Sequence, residues 1–499
     1  MARIVVIGAG LGAMSAAARL AVAGHRVVVY ERGETFGGAV GRVERDGFSF
    51  DTGPGLLHLP AVYRDLFVKT GKEPLEKCVE LSQVEPAVRH VFADGTTADL
   101  PNASRAGVGE ALDTALGAGA GARWSAFMNR AREAWDRTRR PLLEEPLWPN
   151  WEVLAEREPY PAVPHKRLLR RERRAATLSE VGELELGGDA RLVALLEQFA
   201  LAQGLDPRTT PASAAVLPYL EQTFGTWSAR GGMRALARAV YERCVARRVE
   251  FVFGAAVTRI VEKDGKAAGV ELADGTTADA DFVVAGVAPS VLDGMLSGVN
   301  IRAEGDVPAR SGLPSRLTIF LALFGARPEG TPLRTVLHSA DREDELDRLF
   351  GERPGLPASP TLVVLRPDDP ELTPDAAHEA VTLTATVPAH LEVTAEDVQR
   401  VITRAEAVVP ELRSRLLWHE VRTPADVAEA TGADGGAVPA PALAAAGGRL
   451  LQPSNSTRLP GLFAVGGWAH PGGGLPHAGM SGTLVAGLIV EGPEFRGSQ

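Results

Sequence analysis

The chain has 499 residues, 45% of them hydrophobic and 23% charged, ordinary values for a soluble globular protein with room for two or three domains. Its 53 Lys and Arg against 63 Asp and Glu leave a net charge of −10, which argues against nucleic acid as the main partner. Cys78 and Cys244 supply neither a disulfide framework nor a zinc pattern, no apolar run reaches the length of a membrane span, and the first strand starts too early to leave room for a signal peptide. The expected setting is cytoplasmic, with any membrane contact peripheral.

Residues 3–7 (RIVVI) read as a buried strand, followed by Gly8-Ala9-Gly10-Leu11-Gly12-Ala13 and a strong helix former over 14–23. A second strand over 27–30 ends on Glu31. Strand, glycine turn, helix, strand and acid make a dinucleotide-binding unit. Gly8 allows the tight turn, Gly10 the approach of backbone to a pyrophosphate, and Ala13 stands in for a third glycine where helix and strand pack. The helix start offers free N–H groups to the phosphates. A carboxylate at Glu31 suits an unphosphorylated ribose, so FAD or NAD rather than NADP. The similar run Gly117-Ala118-Gly119-Ala120-Gly121-Ala122 follows a helical stretch instead of a strand and is expected to be a flexible loop.

Arg32 follows the ribose acid, and Gly37-Gly38-Ala39-Val40 points to a second close approach of backbone to cofactor. Residues 46–55 (DGFSFDTGPG) form a turn and short strand, then a loop with little side-chain bulk at Gly53, Pro54 and Gly55, as a flat ring pressed on backbone needs. With Gly8 to Ala13, Glu31-Arg32, Gly37-Gly38 and 47–54, and again at Arg230-Gly231-Gly232-Met233 and the C-terminus, the chain resembles the FAD-dependent carotenoid (phytoene) desaturase family, within the wider amine-oxidase-like flavoproteins. The resemblance covers the flavin-binding parts well and the middle poorly. Ala39 departs from it, since many relatives carry arginine there; Arg42 is the nearest replacement for that charge.

The fold class that follows is α/β: a Rossmann-type FAD-binding domain, glutathione-reductase-like, with an inserted mixed-sheet and helical substrate domain. The expected segments are 1–75, 226–300 and 450–499 for FAD, 76–225 for a helical substrate and membrane-contact part, and 301–449 for a substrate domain. Residues 88–100 read as a hairpin turning at Asp94-Gly95. Residues 124–186 read as mostly helical, with six Lys or Arg and one acid over 165–174, a run that either docks on anionic lipid or is a solvated face. Trp148 and Trp151 nearby favour the lipid reading slightly. Strands are expected at 251–253, 257–261, 281–285, 317–324, 361–365 and 381–387, the last alternating and half-buried. Residues 433–448, rich in Ala, Gly and Pro, read as a loose connection.

Residues 462–465 form a strand, 466–477 a glycine-rich turn and 478–490 a small-residue helix. This resembles the family's closing motif, in which the flavin ring lies over the start of that helix. Free N–H groups around Met480 and Ser481 would stabilise the charge of the reduced ring by about 0.3–2 kcal/mol. By the same resemblance Gly466 and Gly467 approach the ring and the backbone of Val257 faces the adenine. His470 and His477 are candidate acid/base groups, more simply read as structural; no metal pattern is present. The implied activity is desaturation of a polyprenoid-like hydrophobic substrate, with hydride passing to flavin N5, a proton leaving the neighbouring carbon, and no catalytic residue assigned. The alternatives left open are a flavin amine oxidase, a polyene saturase or isomerase, and a non-redox prenyl-lipid carrier. The oligomeric state and terminal electron acceptor are not legible.

Overall fold

The computed structural model describes residues 1–147, 151–163, 173–296 and 313–497. Its centre is a five-stranded parallel sheet in the order Glu250–Val252, Arg26–Tyr30, Arg3–Ile7, Phe282–Ala285, Leu462–Ala464. The hydrophobic run of the first strand is explained by burial on both faces, as parallel sheets require. Ile4 and Val6 pack toward the helices Leu11–Val22 and Met233–Ala246. Val5 and Ile7 pack toward the antiparallel meander Val257–Lys263, Lys266–Leu272, Thr277–Asp279. The helix Leu475–Glu491 lies against the first helix; Gly482 permits this, because a Cβ there would stand 2.5 Å from the carbonyl of Gly12.

A second, seven-stranded sheet runs Leu416–Arg422, Ser315–Phe324, His378–Val387, Leu362–Leu365, Arg334–Leu337, Val88–Val91, Thr97–Leu100. All its pairings are antiparallel except that of Arg334–Leu337 with Val88–Val91. The hairpin at 88–100 therefore extends this sheet. Alternation along His378–Val387 separates two faces. Val381, Leu383, Ala385 and Val387 are buried against Val401 and Ile402 of the helix Ala395–Ala405. Thr382, Thr384 and Thr386 point the other way, into the main cavity.

A third layer is helical, built from Arg105–Leu116, Ala120–Arg139, Leu178–Glu185, Ala190–Leu201 and Val216–Phe224 around one apolar core. Two sequence expectations are corrected here. The glycine run at 117–122 is a loop only at 117–119; Ala120 begins a helix, and Gly121 lies against Gly109, where any side chain would collide with backbone. Small residues serve helix crossing there. Residues 433–448 are not loose: Ala440, Ala442, Leu443 and Ala444 are buried. Of the basic run, 165–172 lies outside the described residues, as does Trp148; Arg173 and Arg174 are exposed. Trp151 packs inward, 2.5 Å from where a Cβ on Gly448 would stand. No described helix is long and apolar enough to cross a membrane.

Candidate active site

The N-terminal turn and the C-terminal turn meet on one cavity of about 850 Å³. At its first end the helix Leu11–Val22 starts with no side-chain cap, leaving its opening N–H groups for a ligand. A Cβ on Gly10 would meet nothing within 4 Å, so the backbone there is open to an approaching group. Glu31 accepts from the N–H of Ala9 at 2.7 Å and of Gly33 at 2.8 Å. A carboxylate has about four lone-pair positions, so two remain for ribose hydroxyls. Arg32 donates to the carbonyls of Glu429 and Ala430, which closes this end of the cavity with the helix Pro424–Thr431.

Beside this turn, Gly37 donates to Ala9 O at 2.8 Å and takes φ +108°, a conformation that L side chains resist. The loop is held by a residue the sequence reading did not single out. Arg234 is 8% exposed; its guanidinium donates to the carbonyl of Phe36, to Val40 O at 3.1 Å and to Thr35 Oγ1 at 2.6 Å, and lies 4.0 Å over the Phe36 ring. Arg42, expected to replace a charge missing at Ala39, instead donates to Gly231 O and faces Glu44 at 3.6 Å. Asp51 accepts from the N–H of Met233 at 2.6 Å and of Arg234 at 3.1 Å, capping the helix that carries Arg234. Burial raises the Asp51 carboxyl above the usual range despite those two bonds. The run Arg230-Gly231-Gly232-Met233, which leads into this helix, is the sequence signal for this support.

At the other end, Gly474 opens the helix Leu475–Glu491 at φ +102° with no side-chain cap. The helix therefore starts earlier than expected. Ala478 N–H already bonds Gly474 O at 2.9 Å, and Pro476 has none to give, so the free donors are those of Leu475 and His477 rather than Met480 and Ser481. The carbonyl of Leu475 is fixed by Tyr63 OH at 2.7 Å. Ser481 is fully buried, and its Oγ accepts from Gly466 N and Asn455 Nδ2, both at 3.0 Å, so it shapes the turn from behind. Met480 packs into the helical core.

Of the expected contact residues, Gly8, Gly10, Leu11, Gly12, Ala13, Glu31, Arg32, Gly37, Gly38, Ala39, Val40, Gly53, Pro54, Gly55, Val257, Gly466 and Gly467 all line this cavity, while Met480 and Ser481 do not. Gly286 also lines it; a Cβ there would stand 3.0 Å from that of Ala13, so Gly286 makes room for the alanine in the third motif position. His470 is fully buried, with Nε2 2.9 Å from Glu145 O, and does not line the cavity, whereas His477 does. Burial takes both down to about 4, so both are neutral at pH 7.

Two uncapped helix starts, the Glu31 carboxylate with lone pairs to spare and bare backbone between them fit an extended flavin dinucleotide. The chain belongs to the flavin containing amine oxidoreductase family, whose sequence pattern it matches over residues 14–490, and it is an FAD-dependent oxidoreductase. It is 30% identical over 508 residues to 4,4'-diapolycopene oxygenase of Methylomonas sp, covering 98% of each chain. It is 29% identical over 520 residues to hydroxyneurosporene desaturase of Rubrivivax gelatinosus, covering 98% of this chain and 93% of the other. Among solved structures, an oxidoreductase from Methanosarcina mazei shares the fold at TM-score 0.63 and 17% identity, over 97% of this chain and 99% of the other.

Proposed function

We propose that the protein desaturates a carotenoid-like polyene, removing two hydrogens from adjacent carbons. The observation that carries this is the continuity of the cavity. The same space that holds the dinucleotide cradle extends between the helix residues Leu201, Leu217 and Leu220 and the face of the large sheet that carries Val363, Leu365 and the threonines. FAD, when bound, supplies the two-electron acceptor. The chain's own residues do the rest. Glu31 and the first helix start hold the adenosine and pyrophosphate, and the N–H groups of Leu475 and His477 favour negative charge at the ring end. The leucine wall aligns a flexible hydrocarbon and keeps water away. The names of the relatives, an oxygenase and a desaturase of carotenoids, support the substrate class.

A polyene of this kind is delivered from lipid, so the reading includes peripheral contact with a membrane, supported by the basic run at 165–174. Anionic vesicles should retain the protein at low salt and release it at high salt; equal binding to neutral vesicles would remove the basic run from the account. For the reaction itself, holoprotein mixed anaerobically with an acyclic polyene should lose its flavin absorbance while the polyene band moves to longer wavelength. Bleaching by primary amines and by no polyene would replace desaturation with amine oxidation.

A further inference from the structure

The cavity is also lined by an ionic cluster separate from the residues assigned to the cofactor above. Glu221, in the helix Val216–Phe224, accepts from Arg334 Nη1 at 2.7 Å on Oε1, and its Oε2 lies 3.6 Å from His58 Nε2. His58 Nδ1 lies 3.4 Å from Gly225 O. The Arg334 and Glu221 side chains are 8% and 10% exposed, against 31% for His58, and all three line the cavity. The cluster stands toward the ring end of the cradle. His58 follows the loop at 53–55, Tyr63 just beyond it bonds Leu475 O, and Leu217 and Leu220 share a small void with His477.

The imidazole has an unusual setting. Both of its nitrogens face oxygen acceptors, the Gly225 carbonyl and the Glu221 carboxylate. A neutral ring has one N–H and must turn one lone pair toward an oxygen; a protonated ring can donate to both. Burial outweighs the attraction of Glu221 and, with repulsion from Arg334, holds the resting ring below its ordinary 6.5. For Glu221, burial works upward, but Arg334 and then His58 outweigh it and keep it ionised. Among the described residues, Glu221 and Arg334 are the charged groups that face His58.

We propose that His58 is the proton acceptor of the dehydrogenation, with Glu221 and Arg334 as positioning residues. This rests on the desaturase reading above. Forming a C=C bond from two adjacent C–H bonds releases one hydrogen with its electron pair, as hydride to FAD. The other leaves as a proton, while its electron pair becomes the new π bond. His58 takes that proton on the nitrogen left unprotonated in the neutral ring, and returns it to solvent after product release; the Glu221 carboxylate, 3.6 Å from Nε2, offsets the charge meanwhile. Arg334 fixes the carboxylate that stabilises the resulting imidazolium.

The test uses FAD-loaded full-length protein. His58→Asn should slow anaerobic flavin bleaching by an acyclic polyene by about 100-fold, and Glu221→Gln by about 10-fold, with FAD content and polyene dissociation constant unchanged. Ring-labelled histidine NMR provides a readout apart from turnover. The signal lost in His58→Asn should titrate below 6.5 in the wild type and move lower still in Glu221→Gln. Bleaching rates within about threefold of wild type in both variants, or a His58 titration unmoved by Glu221→Gln, would overturn the assignment. If no polyene bleaches the wild-type flavin, the desaturase reading itself fails, and the proton-acceptor role with it.

Discussion

Gly12 and Gly466 are in contact across the two halves of the cofactor site. A Cβ on Gly12 would stand 2.8 Å from Gly466 Cα and 2.9 Å from the carbonyl of Ala478, all backbone atoms with little freedom to retreat. The N-terminal glycine motif thus does more than admit a pyrophosphate, because it also seats the C-terminal turn. Gly12→Ala should lower stability by about 1–3 kcal/mol, the usual penalty of overpacking, and reduce bound FAD. Thermal melts and the ratio of flavin to protein absorbance check both effects. Wild-type values in both would mean that the two turns can separate at no cost.

Glu31 is expected to act through hydrogen bonds to an ionised acceptor, each worth about 1.5–3 kcal/mol. Glu31→Ala removes the partner of the Ala9 and Gly33 amides together with the proposed ribose contact. FAD affinity of the apoprotein should fall at least about 10-fold, measured by flavin fluorescence titration.

Arg234 should not tolerate lysine. Its planar fork serves three oxygens of the loop at 35–40 while lying over Phe36. Arg234→Lys should retain the fold but weaken FAD binding about 10-fold or more, with faster proteolysis of that loop. Affinity equal to wild type would show that a point charge suffices.

The large sheet hides a second charge cluster with a structural role. Glu379 is 1% exposed and pairs with Arg366 at 2.7 Å and Arg415 at 2.7 Å. Glu379→Ala strands two guanidinium groups and should cost about 3–5 kcal/mol in denaturant unfolding. A change under about 1 kcal/mol would show that water reaches the site.

Glu345 gives a pH signature. It is 5% exposed, and burial pushes its carboxyl up to about 7, against hydrogen bonds from the Thr361 N–H and hydroxyl. Its folded value lies above the ordinary 4.5, so the folded state binds the proton more tightly. That contribution is fully present below about 4.5 and is lost as pH rises through about 7. At pH 8 the ionised carboxylate should cost about 3 kcal/mol relative to about pH 4. Glu345→Gln should therefore gain stability relative to wild type as pH rises from 5 to 8, followed by urea unfolding at each pH. A constant difference between the two proteins would exclude a raised carboxyl.

The cofactor half of this site was legible because its chemistry is backbone chemistry. A tight turn, a bare approach and a helix start need glycine and small residues at fixed spacing, and Gly8 to Ala13 and 466–477 display them. Threonines at alternate positions of 382–386 likewise announced a strand with two different faces. The support was less legible. Arg234 looks like any basic residue of an amphipathic helix until Val40 O and the Phe36 ring are placed against it. His58, Glu221 and Arg334 come from three distant elements, and no spacing joins them. The boundary of the last helix was missed by one turn because Leu475-Pro476-His477 looks like loop sequence, although proline is at home in a first helical turn.

The central claim is that one cavity serves both FAD and a polyene, and it is tested most directly by anaerobic reduction of the bound flavin. The account predicts that an acyclic polyene alone bleaches the flavin of the purified holoprotein and gains conjugation, one C=C bond for each flavin reduced. Flavin that stays oxidised with every polyene offered, or a protein that takes up no FAD, would contradict it.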